Sequence, residues 1–540
     1  MAKNTAKSDR KKQPSTRKNT TSADVRIRMY RQGLGDCFLL TFRQSGQDDF
    51  NMVIDCGVLN GSPNGSARIK QAVEDIEWET NSHLNLLVAT HEHADHLSGF
   101  NQARDLWSKF TIDKTWLPWT ENETDPAVKQ LKNRQKIRLK ASLAGWTRMK
   151  SLAIRLAADG QAKLEGRAES IRSLLDFSLE DGDEVTSLID PSMAGAKPTG
   201  PARALAWLKE QAGSRLEYCH PTDPPRRLWA ASDVRVFVLG PPEGPTLRRS
   251  DPKRGEAYEM FGGIVDNDIC FGLAAADDPA MFGPAAASAA AQPFDAFHQR
   301  RHEDVRNAPF NHADGFFDTH YGFDDGTEQA WRRIDFDWLD LSQGLALALT
   351  GHINNTSLVL AFELGEGGPV LLFPGDAQAG SWLSWNDLKW DLVQGRHDNS
   401  TRTVTGADLL RRTVFYKVGH HGSHNATMRD PGLESMTSQD LVAFIPVHQA
   451  TAQCRRPMWK MPWEPLWRRL QEKAEHRVIL SDHEQALEEQ LKEPAALAGN
   501  PTARKRWKKF QQAIHWDHSP ERLWVEYQYT RGPAGAQRRF

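Results

Sequence analysis

The stretch Leu-Leu-Val-Ala-Thr-His-Glu-His-Ala-Asp-His at positions 86–96 places three imidazoles and a carboxylate within six residues. It starts with a short apolar run that we interpret as a buried strand. The end of a strand holds side chains rigidly and leaves their tips accessible to a ligand. Imidazole nitrogen and carboxylate oxygen are the atoms with which proteins bind Zn²⁺ and similar divalent ions. The stretch therefore predicts a metal centre that includes His91, His93, Asp95 and His96.

The spacing divides these four side chains into two pairs. His91 and His93 are two residues apart, so in an extended segment they point to the same side. Asp95 and His96 follow after the chain has turned, and they can face a second ion close to the first. The alternative is an ordinary polar cluster after a strand, but the density of the pattern and its partners downstream argue against it.

Five further segments occur in a fixed order around this stretch. With it, they resemble the hydrolase domain of the ComEC-type competence proteins and the phosphorylcholine-esterase-like members of the metallo-β-lactamase superfamily. The matching segments are spread over roughly residues 26–485, and much of the chain between them does not match. The five segments are Gly-Leu-Gly-Asp-Cys-Phe-Leu-Leu at 33–40, Met-Val-Ile-Asp-Cys-Gly at 52–57, Asn-Asn-Thr-Ser-Leu-Val-Leu at 354–360, Leu-Leu-Phe-Pro-Gly-Asp-Ala at 371–377 and Lys-Val-Gly-His-His-Gly-Ser at 417–423.

The resemblance implies both a fold and a cofactor. The fold is of the α/β class, a four-layer αβ/βα sandwich in which two mixed sheets pack together with helices outside. The cofactor is a pair of divalent ions, Zn²⁺ or alternatively Mn²⁺, with a hydroxide between them as the nucleophile. In the resembled families the aspartate corresponding to Asp376 binds both ions. The expected metal ligands are His91, His93, Asp95, His96, His352, Asp376 and His421.

Two of these assignments have alternatives. The esterase-like members place a histidine ligand near His352, whereas the competence proteins often lack one there, so this residue separates the two kinds of site. Adjacent side chains of an extended segment diverge, so only one of the pair His420 and His421 is expected to bind metal. We expect His421 to bind the second ion and His420 to contact the substrate or its leaving group. The expected catalytic residues are Asp95, Asp376 and His420.

Other residues are expected to support the centre. Asp55 corresponds to a carboxylate that orients a metal ligand and thereby tunes the ion. Asp36 is expected at the rim of the site. Gly422 and Ser423 offer a backbone and a hydroxyl donor to a phosphate oxygen of the substrate.

A later loop departs from the competence family, in which a histidine precedes a proline. Here Met461 precedes Pro462, so a catalytic role for that loop is not carried over. His448 and His483 lie nearby in sequence, although a structural role is the better expectation for each. Six of the 18 tryptophans follow the ligand motifs, and either base stacking or, as we favour, ordinary core packing explains them: Trp382, Trp385, Trp390, Trp459, Trp463 and Trp467.

Length and composition indicate one core with large insertions. The chain has 540 residues, a net charge of −2 and a hydrophobic fraction of 39%, which suits a core interrupted by polar segments. We predict a disordered basic tail at 1–24, a hydrolase core at 25–490 with insertions at about 121–216 (helical) and 243–345 (mixed, with an Ala-rich loop), and a C-terminal helix and strand at 491–540.

The sequence also limits the environment of the protein. No apolar run approaches the roughly 20 residues that span a bilayer, and the polar N-terminus lacks the apolar core of a secretory signal. The five cysteines are scattered and odd in number, which suits a reducing compartment. We expect a cytoplasmic protein without membrane insertion and leave its oligomeric state open.

Three functions follow in order of preference. The first is a binuclear metal hydrolase of phosphoesters, a phosphodiesterase or a nuclease, because of the His-His-Gly-Ser segment and the basic tail. The second is a hydrolase of a small lactone or thioester, since the fold class alone does not choose the substrate. The third is a binding or assembly protein with a vestigial site, which the intact ligand set argues against.

Overall fold

The computed structural model describes residues 24–531 apart from 44–45, 47, 155–157, 180–198, 230, 232, 251, 254–255, 258–303, 306, 308–339, 394–400 and 456–457. Its strands are β1 Val25–Tyr30, β2 Cys37–Phe42, β3 Phe50–Cys56, β4 His83–Val88, β5 Thr111–Pro118, β6 Leu216–Cys219, β7 Arg226–Arg227, β8 Val234–Gly240, β9 Val359–Leu364, β10 Val370–Phe373, β11 Lys389–Val393, β12 Thr401–Thr405, β13 Thr413–Lys417, β14 Val442–Ile445, β15 Val478–Leu480, β16 Ile514–Trp516 and β17 Trp524–Tyr529.

The helices of the described ranges surround these strands. They are α1 Gly65–Thr80, α2 Ala94–Gln102, α3 Arg104–Trp107, α4 Pro126–Ala153, α5 Ala158–Leu175, α6 Gly200–Ala212, α7 Asp340–Asn354, α8 Ala379–Ser384, α9 Gly406–Arg411, α10 Gln449–Gln453, α11 Glu464–Lys473, α12 Leu487–Gln490 and α13 Pro501–Ala513. None of them is both long enough and apolar enough to cross a lipid bilayer.

The strands form two large sheets of mixed α/β architecture and one small hairpin. The first sheet has eight strands in the order β16-β17-β1-β2-β3-β4-β5-β6, and the second has seven in the order β15-β14-β13-β10-β9-β8-β7. Each sheet has an antiparallel half and a parallel half, the parallel pairs running from β3 to β6 and from β10 to β15. The hairpin pairs β11 with β12.

Alternating side chains explain why the two sheets pack against each other. In β1, Val25, Ile27 and Met29 enter a cluster shared with the second sheet, where they meet residues such as Leu360 and Phe362 of β9. Side chains on the opposite faces pack against helices: α1, α2 and α6 cover the first sheet, and α8, α9 and α11 cover the second. This period-two pattern is the one expected of strands with two different faces, and the strand-forming sequences at 25–30 and 37–42 fold into strands with those bounds.

The predicted insertions contribute to a single helical unit, which we call the helical cap and define as α4, α5 and α7. Helices α4 and α5 come from the segment expected as the first insertion, and α7 begins at Asp340, inside the second. Apolar residues of all three helices share one cluster that includes Leu143, Ile171 and Leu349. The Ala-rich stretch 274–291 and the tail 1–23 lie outside the described residues.

Two predicted boundaries differ from the structure. The segment 97–110, whose sequence favours a single helix, instead forms parts of two helices, α2 and α3, separated at Ala103. The C-terminal segment does more than pack on the core, because β17 pairs with β1 along its whole length, from Val25 opposite Tyr529 to Tyr30 opposite Trp524. Residues from the end of the chain therefore complete the first sheet.

Candidate metal centre

The centre lies where the carboxyl ends of strands from the two sheets meet. Asp95 and His96 begin helix α2, just after β4, whereas Asp376 follows β10 and His421 follows β13. One ligand atom of each of these four side chains lies within 4.8 Å of the others, and all four side chains are fully buried. Buried charged groups are retained in proteins only when they are paired or bind metal.

The distances between these atoms fit the coordination of a metal ion. His421 Nε2 lies 2.8 Å from Asp95 Oδ2 and 3.9 Å from Asp376 Oδ2, while His96 Nε2 lies 3.2 Å from Asp376 Oδ2 and 3.7 Å from Asp95 Oδ2. Ligands about 2.0–2.2 Å from a tetrahedral Zn²⁺ lie roughly 3.3–3.6 Å from one another. The observed separations bracket that range.

Three atoms of the group also lack hydrogen-bond partners among the described residues. They are Asp95 Oδ1, His96 Nε2 and Asp376 Oδ2, each of them buried. Leaving such atoms unpaired costs roughly 1–3 kcal/mol each and more when the group is charged, so a protein rarely keeps several together without a use. The residues present therefore fit a divalent cation, and these buried His and Asp groups could hold one or more ions.

His91 and His93 form a second pair beside this group. His91 Nε2 lies 3.0 Å from His93 Nδ1, and the ring centroids of His91 and His96 are 4.1 Å apart. Burial lowers the pKa of His93 to about 4 and that of His91 well below its usual value. Both rings are therefore neutral at pH 7, which is the form that binds a metal, and both nitrogens can face one cation.

Outer hydrogen bonds fix the tautomer of each histidine that would bind metal. Asp55 Oδ2 lies 2.7 Å from His96 Nδ1, and Pro446 O lies 2.6 Å from His421 Nδ1. Each Nδ1–H donates to an oxygen, so in the neutral ring the lone pair is on Nε2, the atom directed at the group. Such carboxylate or carbonyl partners usually accompany the histidine ligands of metal sites.

Thr90 orients the remaining ligand through the same aspartate. Its backbone N–H donates to Asp55 Oδ1 and its hydroxyl donates to Asp55 Oδ2, both at 2.7 Å. Since the one hydroxyl hydrogen is used, the Thr90 oxygen accepts from His91 Nδ1 at 3.0 Å. The structure thus places Asp55 behind both His91 and His96, the position expected for a carboxylate that orients ligands.

Without a bound ion, the charged groups of the centre shift one another's pKa. Burial opposes the charged form of His96, yet the surrounding carboxylates, Asp376 first, raise its pKa well above the usual value. Burial also opposes protonation of His421, but its hydrogen bond with Asp95 raises its pKa. Burial acts against ionisation of Asp376, whereas His96 and then Lys417 hold its pKa well below the ordinary range. Positive charge therefore stabilises these carboxylates, as a metal ion would.

His420 lies beside the group but is not part of it. Its backbone N–H donates to Asp376 Oδ1 at 2.9 Å, and its ring lies 2.8 Å from the Ser423 hydroxyl and 3.4 Å from Asn354 Nδ2. With 8% of its surface exposed, it is the most accessible of the histidines in the two ligand motifs. Burial lowers its pKa to about 4, so a contact with substrate would be made by a neutral ring.

Ser423, one of the two residues expected to bind phosphate, already uses both of its donors. The Ser423 backbone N–H donates to His420 O at 2.9 Å, and its hydroxyl donates to Asn425 Oδ1 at 3.0 Å. Gly422 O accepts the backbone N–H of Trp463 at 2.8 Å. Gly422 also has φ +76°, and a Cβ there would lie 2.9 Å from the Cβ of Pro462. The structure thus places both residues in shaping the turn that carries the two histidines.

His352 is the expected ligand that the structure does not bring into the group. It lies in the last turn of α7, and its Nδ1 contacts the Arg138 guanidinium of α4. A cation beside this nitrogen opposes metal binding there. Asn354 reaches the centre instead, and its buried Oδ1 lacks a hydrogen-bond partner in the described part of the chain.

Two aromatic side chains pack beside the histidines of the centre. Phe177, which follows α5, lies 5.4 Å from the ring of His93 and 6.2 Å from that of His420, and it stacks on Trp459 at 5.2 Å. We call Phe177 and Trp459 the aromatic cover. Arg455 holds it in place, because its guanidinium lies over Trp459, pairs with Asp176 and donates to Asn60 O. Among the other tryptophans that follow the ligand motifs, Trp382 and Trp385 are buried in the core, as the favoured expectation of core packing had it.

A second group, His448, His483 and Glu484, also brings possible metal ligands together. The two rings stack with centroids 4.6 Å apart. His448 Nδ1 accepts the backbone N–H of Thr451 at 3.2 Å, so in the neutral ring the hydrogen is on Nε2, the atom that faces Glu484 at 3.6 Å. That Nε2 is a donor rather than a metal ligand, which agrees with the structural role expected for this histidine.

Sequence reasoning missed two kinds of residue at this centre. Lys417 stood in a quoted segment without a role, although a lysine directly after the apolar run 414–416 is an unusual feature. Phe177 and Arg455 gave no signal, because they lie outside every motif and reach the centre only through the fold.

The chain matches no family model, no curated protein and no solved structure in comparisons with known proteins.

Proposed function

We propose that the protein is a binuclear metal-dependent hydrolase of phosphodiesters, with the four-layer αβ/βα sandwich of the metallo-β-lactamase superfamily. The observation that carries this proposal is the convergence of buried, unpartnered ligand atoms from Asp95, His96 and Asp376. These atoms lack hydrogen-bond partners among the described residues, and their nearest charged neighbours are one another, with His96 Nε2 3.2 Å from Asp376 Oδ2. A cluster kept only for structure would rarely gather such atoms at one buried point.

The proposed ligand sets combine the distances with the resemblance to binuclear hydrolases. His91 and His93 would hold one ion, Asp95, His96 and His421 would hold the other, and Asp376 would contribute to both. Two such ions, when bound, supply an activated water and neutralise charge on the oxygens of the reacting ester. The chain's own contribution is to fix these ligands through Thr90, Asp55 and Pro446 and to keep bulk water out under the aromatic cover.

The phosphodiester preference rests on charge and on His420. Phosphoryl transfer places negative charge on several oxygens at once, and a pair of ions stabilises that charge better than a single ion does. His420, the most accessible ring beside the ligands, is placed to contact a substrate oxygen or the leaving group. A nuclease is the narrower version of this proposal. It rests on the basic segment 1–24, most of which lies outside the described residues.

A small lactone or thioester is the second candidate substrate. The observation that favours it is the burial of the expected ligands other than His352, with Phe177 and Trp459 stacked beside His93. A site closed in this way admits a small ester more readily than a polymer. The same cover argues for a short phosphodiester over duplex nucleic acid within the first proposal.

A substrate panel tests the proposal. The full chain, loaded with Zn²⁺ or with Mn²⁺, is assayed on a chromogenic phosphodiester, single-stranded and duplex DNA, RNA, a lactone and a thioester, with chelator and Asp376→Ala as controls. We expect chelator-sensitive turnover of the phosphodiester above that of the lactone and thioester. Turnover of only the lactone or thioester would favour the second candidate, and no turnover with any metal would contradict both.

A further inference from the structure

Lys417 is a fully buried lysine in contact with the proposed metal ligands. It is the last residue of β13, and 1% of its surface is exposed. Its ammonium donates to Gly375 O at 2.8 Å and to Asp376 Oδ1 at 3.2 Å, and it pairs with Asp36. An ammonium has three N–H donors, so these three acceptors satisfy it completely. A lysine is buried at such cost only when it is paired in this way.

The contacts of Lys417 divide the two oxygens of Asp376 between different partners. Oδ1 accepts from the Lys417 ammonium and from the His420 backbone N–H. Oδ2 accepts from neither, lacks a hydrogen-bond partner among the described residues, and faces His96 Nε2 and His421 Nε2. The carboxylate therefore cannot turn both oxygens toward one ion while Lys417 stays in place.

We propose that Lys417 is a positioning residue of the metal centre, which holds Asp376 Oδ1 and so leaves Oδ2 as the oxygen that would bind metal. Asp36 anchors the ammonium, and its second oxygen, Oδ1, is buried near His421 Nδ1 at 3.9 Å. This inference rests on the binuclear part of the proposed function and is independent of the substrate. Loss of Lys417 frees Asp376 to chelate a single ion and weakens the binding of the second.

Metal binding by the full chain tests this role without any substrate. We compare the wild type with three variants of the proposed contact, Lys417→Met, Lys417→Arg and Asp36→Asn. The control is Lys473→Met, which removes the lysine that ends α11 and pairs with Glu434. Chelator competition gives the two Zn²⁺ affinities, elemental analysis gives the stoichiometry, and the absorption spectrum of the Co²⁺-substituted protein reports the coordination of each ion. Circular dichroism shows which variants are folded.

We expect Lys417→Met to keep one ion and to bind the second 10- to 100-fold more weakly, the usual effect of removing a group that orients a ligand. Its Co²⁺ spectrum should change, Lys417→Arg should recover part of the loss because it keeps the charge, and Lys473→Met should match wild type. If Lys417→Met does not fold, Asp36→Asn decides, because it releases the ammonium while keeping the lysine.

Two results would overturn the inference. One is a folded Lys417→Met that binds two ions with wild-type affinity and an unchanged Co²⁺ spectrum. The other, where Lys417→Met is unfolded, is wild-type metal binding by Asp36→Asn. Both leave the binuclear hydrolase intact, whereas a wild-type protein that binds fewer than two ions contradicts the binuclear proposal itself.

Discussion

The metal centre and the helical cap are built in opposite ways. Most ligands of the centre come from short segments at strand ends, so a few consecutive residues determine both their identity and their direction. The cap is assembled from α4, α5 and α7, of which α7 is far from the other two in sequence, and its helices meet mainly through apolar contacts such as those of Leu143 with its neighbours around Leu349. Local chemistry therefore specifies the centre, and long-range packing specifies what covers it.

The largest expected effect is the difference in turnover between variants of the metal ligands and a variant of a cap residue. Asp376→Ala and His421→Ala should each lower turnover at least about 1000-fold, because metal ligation contributes several kcal/mol to transition-state stabilisation. His352→Ala, which removes a histidine paired with Arg138 in the cap, should retain turnover within about threefold. The measurement is kcat on the best substrate of the panel, with circular dichroism to verify folding.

The opposite outcome for His352 would be informative. If His352→Ala lost activity and one bound ion, α7 would have to move its last turn toward the centre, and the esterase-like ligand set would be restored. Wild-type turnover by Asp376→Ala would remove the shared carboxylate from the proposal.

The difference between centre and cap also explains which parts of the molecule could be predicted. The segment 86–96 contains its own ligands, and the strands before Asp376 and His421 are short apolar runs that a period-two or buried pattern identifies. The prediction that His352 is a metal ligand rested on its neighbours in sequence, which suggested a motif. Its actual position depends on how α7 packs against α4. Phe177 could not be predicted at all, since its contact with His93 exists only once the segment after α5 has folded back over the centre.

The next effect concerns the stability of the cap. Leu349→Ala removes a side chain that is 1% exposed in the cap cluster and should cost about 2–5 kcal/mol. Leu347→Ala lies on the same helix at 48% exposure and should change stability by less than about 0.5 kcal/mol. Hydrogen exchange over 126–175, together with denaturant unfolding, measures the difference.

Metal stoichiometry should stay at the wild-type value in Leu349→Ala, because no ligand belongs to the cap. If Leu349→Ala lost its ions as completely as Asp376→Ala, the cap and the centre would form one cooperative unit. Metal binding would then depend on the packing of the cap.

A smaller effect concerns pH. The pKa values of His96 and His421 are raised in the folded protein without bound metal, so their charged forms stabilise it below about pH 6.5, the value in an unfolded chain. That contribution is lost as pH rises through the folded-state pKa, at up to about 1.4 kcal/mol per pH unit and proton. Bound Zn²⁺ replaces these protons, so the Zn²⁺-induced rise in Tm should be larger at pH 8.5 than at pH 6.5. A rise that is equal at both values would contradict this assignment.

The smallest expected effect concerns access through the aromatic cover. Phe177→Ala removes the ring over His93, and Arg455→Ala removes the group that ties Trp459 to Asp176. Both variants should release Zn²⁺ to a chromophoric chelator about three- to tenfold faster, because the ions become more accessible while all their ligands remain. Equilibrium affinity should change much less than the rate. The matched control is Arg468→Ala, which removes an exposed arginine paired with Glu464 on α11.

Unchanged release rates in both variants would mean that metal leaves by another route and that the cover does not limit access. A matching fall in equilibrium affinity for Zn²⁺ would instead mean that Phe177 supports the metal-binding position of His93. Phe177 would then belong to the metal centre, although it lies outside the sequence motifs that specify the other residues there.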